Sequence, residues 1–248
     1  MKSAKSLIIF LVILNSLFYA ANKLVAQDSA ALHWAYNNAL LNTTAVYHHS
    51  FGSQGALYNG RQYNEYRMKF KEGDPYFQSF IPAVGKVIYG GVLYDSVLMR
   101  YDEVKDELVI HDHLRRLQLL KEKVTSFNLF NNDFINIEKN SLSSKLLSSG
   151  FYNLLYKGKV CLLKKQVKSI REEISANIEL LHFVKEKDYY YLKKENEFFL
   201  IKSKGNLIAL MSDKKNEVQL FIKMNNLSFK SDRQNMLTKT IAYYDSLK

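Results

Sequence analysis

The chain has 248 residues, 47% of them hydrophobic, with a formal charge of +11 and a single cysteine. That hydrophobic fraction excludes a disordered chain, the length allows one sizeable core or two small ones, and a lone cysteine excludes an internal disulfide. Only two prolines occur, Pro75 and Pro82, and no Pro-rich or Gly/Ser-rich linker marks a domain boundary.

Lys2 and Lys5 precede an apolar run over 7–14, Asn15 and Ser16 interrupt it, and 17–21 resume it before Leu24, Val25, Ala26 and Gln27. A basic start, a short greasy core and a small-residue exit predict a secretory signal peptide over residues 1–27. Cleavage after Ala26 or Gln27, with Ala21 as a third site, leaves one β-rich exported domain over 28–248. The alternative is an uncleaved leader kept as an anchor, although a spanning helix needs roughly 20 mostly apolar residues. The expected location is the periplasm or the outer membrane, with secretion as an alternative. Such an address excludes cytoplasmic cofactor chemistry and genomic nucleic acid, so no cofactor and no nucleic acid partner are expected. Three of the lysines lie in the leader, which leaves the mature chain near +8.

Asp28 or Ser29 can cap a helix over 29–47, where Leu32, Ala35, Tyr36, Ala39 and Thr43 share one face. Residues 50–60 read as a loop, and Asn59-Gly60 favours positive φ and a tight turn. From Lys86 the pattern changes to short strands separated by polar turns: 86–89, 92–101, 107–110, 117–120, 124–130 and 134–137. Gly90-Gly91, residues 102–106 and Asn131-Asn132-Asp133 are the turn signals. A segment rich in Ser, Lys and Leu follows over 139–150. A second meander is predicted at 151–156, 159–166, 180–184, 189–192, 198–201 and 207–211, with turns at 157–158, 185–188, 193–196 and 204–206. The two halves, about 57–138 and 150–248, show no residue-level repeat. Ser212 can cap a helix over 213–225, and Ser231 with Gln234 fits a capping box for a last helix carrying Leu237, Ile241 and Tyr244.

The second half is rich in lysine: Lys157, Lys159, Lys164, Lys165, Lys168, Lys185, Lys187, Lys193, Lys194, Lys202 and Lys204. Their spacing is that of solvent-facing strand positions. The functional alternative is attraction to an anionic membrane surface, a polysaccharide or an acidic partner. Cys161 sits in the run Val160-Cys161-Leu162-Leu163 and reads as a small buried hydrophobe.

Motifs for chemistry are sparse. His48-His49 are adjacent and make a poor ligand pair on either a strand or a helix. His111-Asp112-His113 is better, because residues two apart on a strand share a face, so His111 and His113 are weak candidates for one metal. A third ligand would have to come from elsewhere in the fold. Asp102-Glu103 with Asp106-Glu107, and Glu172-Glu173, can be read as acid–base pairs or, more simply, as turn residues. No nucleophile elbow, phosphate loop, dinucleotide fingerprint or zinc-protease helix is present, so no catalytic residue is assigned.

Several short stretches carry a resemblance: 57–63 (Leu-Tyr-Asn-Gly-Arg-Gln-Tyr), Asp74-Pro75-Tyr76-Phe77, 85–89, Tyr101-Asp102 with Asp106 and Leu108-Val109, Gly150-Phe151-Tyr152, and Tyr243-Tyr244-Asp245. Together they resemble a group of uncharacterised exported, β-rich proteins of Gram-negative bacteria with no assigned activity. The resemblance implies export and a β-rich body, and it transfers no functional residue. The sequence therefore predicts an α+β or mainly β fold of ten to twelve antiparallel strands, in a curved sheet, open barrel or sandwich, with an N-terminal helix and C-terminal helices. The leading functional expectation is non-catalytic binding of a hydrophobic ligand or a cell-envelope protein. The alternatives are an envelope hydrolase with a His/carboxylate site and a basic protein that touches anionic membrane.

Overall fold

The computed structural model describes residues 55–138, 147–195 and 197–247. The predicted leader, the helix over 29–47 and His48-His49 lie outside the described residues. What is described is mainly β: one large, open, mostly antiparallel sheet of twelve strands, followed by helices. The strands are β1 (Arg61–Gln62), β2 (Phe70–Glu72), β3 (Ala83–Tyr89), β4 (Val92–Asp102), β5 (Glu107–Asp112), β6 (Arg115–Gln118), β7 (Val124–Leu129), β8 (Asn132–Ile137), β9 (Gly150–Lys157), β10 (Val160–Ile174), β11 (Leu180–Lys194) and β12 (Glu197–Leu200). Their order in the sheet is β1-β6-β5-β4-β3-β7-β8-β9-β10-β11-β12, and β2 adds in parallel to β11. Both predicted meander halves thus belong to one sheet, joined where β8 pairs with β9.

Local chemistry sets the hairpins. Gly90 and Gly91 both take positive φ, which a two-residue turn between Tyr89 and Val92 requires. Phe130 and Asn131 do the same between Leu129 and Asn132. Gly60, by contrast, does not make the tight turn expected of Asn59-Gly60. A side chain there would come within 2.6 Å of the Gln118 carbonyl, so glycine serves the close approach of β6.

Three other expectations are corrected. Residues 185–188 are not a turn: Leu180–Lys194 is one 15-residue strand paired along its whole length with Val160–Ile174. The partner strand supplies the hydrogen bonds of this charged run, and that pairing overrides the turn chemistry of Asp188. Residues 204–211 are not a turn and strand but helix α1 (Lys204–Leu210), because the Ser203 side chain caps the Asn206 amide at 3.1 Å and Leu207, Ile208 and Met211 bury one face. Helix α2 (Lys215–Met224) follows a short 3-10 turn at Ser212–Lys214, and α3 (Arg233–Ser246) closes the described chain. The cap of α3 is Asp232, which accepts from the Asn235 amide at 3.1 Å, rather than the predicted Ser231.

The two halves of the sheet carry different cores. In the first half, Tyr101 meets the rings of Phe127, Phe134 and Phe151 edge-on, at centroid distances of 5.3 to 5.6 Å, and Phe127 stacks on Phe134 at 4.6 Å. In the second half, Val160, Leu162, Leu192 and Ile201 are covered by Leu207, Val218, Ile222, Leu237 and Ile241 of the helices. Asp245, at the end of α3, accepts from the Tyr156 hydroxyl and from the amides of Lys159 and Val160, which ties the helix to the β9–β10 turn. Side chains alternate along a strand. Among the described residues, no helix therefore packs on the opposite face, which carries Cys161, Leu163, Tyr191 and Lys193.

Candidate functional site

A groove of about 760 Å³ lies on that opposite face and spans β7 to β12. Its floor is apolar. Val124 and Ile137 stand at one end, Ile135 and Leu154 in the middle, and Leu163 and Phe198 beyond them. Leu163 and Val124 are fully buried beneath it, while Ile135, Leu154, Cys161 and Phe198 are half-buried and face the opening. Cys161 is thus a groove residue and not the enclosed hydrophobe its sequence neighbours suggest. It sits directly between Lys157 of β9 and Lys193 of β11, and Lys193 in turn faces Phe198 of β12. Glu122 and Glu138 mark the other end. Lining of this kind, an apolar bed with a few polar groups at the rim, suits a ligand with a hydrocarbon body. The sequence carried no signal for it, because the site forms from one to three residues on each of six strands.

The acids of the 102–107 turn are the second charged centre, and they face inward. Asp102 is fully buried. One of its carboxylate oxygens accepts from the hydroxyls of Tyr63 at 2.7 Å and Tyr66 at 2.9 Å, the other from the amides of Val104 and Lys105. Burial, then the contact with Asp102, pushes Tyr66 well above the usual phenol range. Asp106 accepts from the Tyr101 hydroxyl at 2.6 Å and pairs with Lys165 at 2.8 Å and Lys121 at 2.9 Å. Burial works to raise Asp106, but the Lys165 charge and these hydrogen bonds outweigh it and hold the carboxyl below its usual value. Glu103 pairs with Lys168 at 3.0 Å, and here burial wins and pushes the carboxyl up to about 7. Lys168 also donates to the carbonyls of Asp74 and Tyr76.

Lys165 and Lys168 are therefore buried, against the expectation that the lysines of the second half face solvent. Lys164 pairs with Asp188 and Lys194 with Asp213, which further reduces the free charge on offer to an anionic surface. Glu172 and Glu173 stand exposed near the tip of the long β10–β11 hairpin, where Glu172 lies 3.3 Å from His182.

The histidine candidates part company. His111 is on β5, half-buried, with an enclosed Nε2 that has no hydrogen-bond partner. Burial, with Arg100 and Arg116 beside it, lowers its pKa and favours the neutral ring. His113 falls on the β5–β6 turn with φ of 50° and its side chain is 93% exposed, 3.9 Å from Asp112. The shared strand face that the sequence suggested needs both residues in the strand, and β5 ends at Asp112. Among the described residues no three His, Cys, Asp or Glu side chains gather as a metal site. Among the same residues, no helix is long and apolar enough to cross a membrane. Comparison with protein families, with curated proteins and with solved structures finds no match to this chain.

Proposed function

We propose that this chain is a non-catalytic exported protein that binds a hydrophobic ligand in the groove over β7 to β12. The observation that carries the reading is the apolar floor itself: among the described residues the helices protect one face of β9–β12, and Leu154, Leu163, Ile135 and Phe198 line a groove on the other. The turn carboxylates support the same view. Asp102 and Asp106 have their oxygens occupied by donors of their own chain, which leaves them poorly placed to act on a substrate.

The test is native mass spectrometry of the purified protein with titration of an apolar fluorescent dye. Retained lipid, or dye binding that Leu154→Glu abolishes while the melting temperature moves little, supports the proposal. Absence of both lipid and dye binding in the unaltered protein would reject it.

A further inference from the structure

We infer that the ligand of the groove is a single-chain amphiphile with one anionic head, held at the Lys157–Lys193 end. This deepens the proposed function and rests on it. Three strands place Lys157, Cys161 and Lys193 side by side in register. Residues directly paired across strands project from the same face, and neighbouring strands lie about 4.8 Å apart, so the two lysine Cα atoms stand roughly 10 Å apart. The small Cys161 between them leaves room for both ammonium groups to converge on a shared anion.

These lysines differ from most others on the sheet. Lys86, Lys121, Lys164, Lys165, Lys168 and Lys194 are all committed to carboxylates. Lys157 and Lys193 have no acidic partner among the described residues, and the only charged-group contact of Lys193 there is with the Phe198 ring, 5.7 Å away. Two uncommitted cations at the edge of an apolar bed are complementary to a carboxylate or phosphate whose chain lies along Leu154, Leu163 and Ile135.

The other end sets the sign of the chain terminus. Val124 and Ile137 stand at the start of β7 and the end of β8, and Glu122 and Glu138 lie just beyond them, exposed. Ile137 is level with Gly150, the first residue of β9, whereas Lys157 is the last, so the charged ends are on the order of 24 Å apart along the strand direction. Like charges repel. A second anionic group at the tail would meet these two glutamates, so a monoanion fits and a dianion of similar length does not.

The experiment is isothermal titration of the full exported chain with hexadecanoate, its methyl ester and hexadecanedioate below their aggregation limits, repeated on K157Q/K193Q. Hexadecanoate should bind about fivefold more tightly than the ester, as expected for two solvent-accessible ion pairs, and more tightly than the diacid. The double variant should bind acid and ester alike, with ester affinity unchanged. Lysophosphatidate in a parallel titration separates the two sources of such a head: tighter binding than hexadecanoate assigns a phospholipid, weaker binding a free fatty acid. Equal affinity for acid and ester in the unaltered chain, or a preference that survives K157Q/K193Q, overturns the inference and leaves the groove reading intact. Failure to bind either acid or ester removes both.

Discussion

The 102–107 turn and the groove over β7 to β12 both concentrate charge on a β-sheet, yet they use it in opposite ways. At the turn, Asp102, Glu103 and Asp106 are enclosed and matched to Tyr63, Tyr66, Lys168, Lys165 and Lys121. In the groove, Lys157 and Lys193 stand at the rim of an apolar floor with no carboxylate partner among the described residues. Charge that is buried must be paired inside the protein or it costs several kcal/mol per ion. Charge at an accessible rim costs little to leave unpaired and remains available to something else. The first region therefore joins β10 to the β4–β5 turn, and the second leaves its charge uncommitted within the described residues.

The comparison breaks most visibly at Asp106. Asp106→Asn keeps the shape but removes the counter-charge of Lys165, a lysine that is 9% exposed and also donates to the Phe151 carbonyl. Stranding a buried cation should lower the unfolding free energy by about 3 kcal/mol. Chemical denaturation followed by tyrosine fluorescence or circular dichroism measures it. A loss under half of that would mean the pair is solvated in practice and that the two regions differ less than their geometry implies. K157Q, the matching change in the groove, should stay within about 0.5 kcal/mol of the parent, as surface substitutions do.

Next in size is Gly150→Ala. Gly150 has φ of +137°, and a methyl group there would collide with the Asp106 carboxylate and come within 2.8 Å of the Lys165 ammonium. The strained backbone and the displaced ion pair together should cost about 2 kcal/mol. If the Asp106→Asn change is made first, part of that cost should vanish, because one colliding partner no longer holds a charge. A double-mutant cycle reads this coupling directly. Strict additivity would show that the glycine serves its backbone alone.

These two residues also show what could be read from the sequence. Gly150-Phe151-Tyr152, Tyr101-Asp102, Asp106 and Tyr243-Tyr244-Asp245 are among the stretches that carry the resemblance, and in the structure they are joints: Gly150 beside Asp106, Tyr101 on Asp106, Asp245 on the β9–β10 turn. Strands β3 to β5 and β7 to β9 were legible because glycine or polar turns separate short alternating runs, whereas β6, expected at 117–120, lies at Arg115–Gln118. The boundary of β11 was not, since a charged segment inside a long hairpin looks like a turn until its partner strand is known. Helix α1 was missed because Lys204-Gly205-Asn206 carries turn chemistry, and only the Ser203 cap and the packing of Leu207 and Ile208 decide for helix. Buried lysines were missed for a related reason: period-two spacing places Lys165 and Lys168 on faces of a strand, but says nothing of the turn that curls over them. The groove is the least legible part. Its residues belong to six strands, and their convergence is a property of register.

A further effect depends on pH and sharpens the contrast within the turn itself. Glu103 titrates near 7 in the fold against an ordinary value of 4.5, because burial outweighs its pairing with Lys168. Between those two values the folded state holds a proton that the unfolded state has released, so stability falls as pH rises from about 4.5 to about 7. Asp106 behaves in the other sense. Its folded value lies below 3.8, so the stability it contributes is present above 3.8 and is lost as pH falls through its lowered value. The two effects together place the most stable condition in mildly acidic solution. Glu103→Gln removes the first effect and keeps the second. Its unfolding free energy should lose the decline between pH 4.5 and 7, on top of a pH-independent cost from leaving the buried Lys168 without its carboxylate. Denaturation midpoints at pH 5 and pH 8 for both proteins decide it: if parent and variant change in parallel, Glu103 is ionised throughout and Lys168 offsets its burial fully.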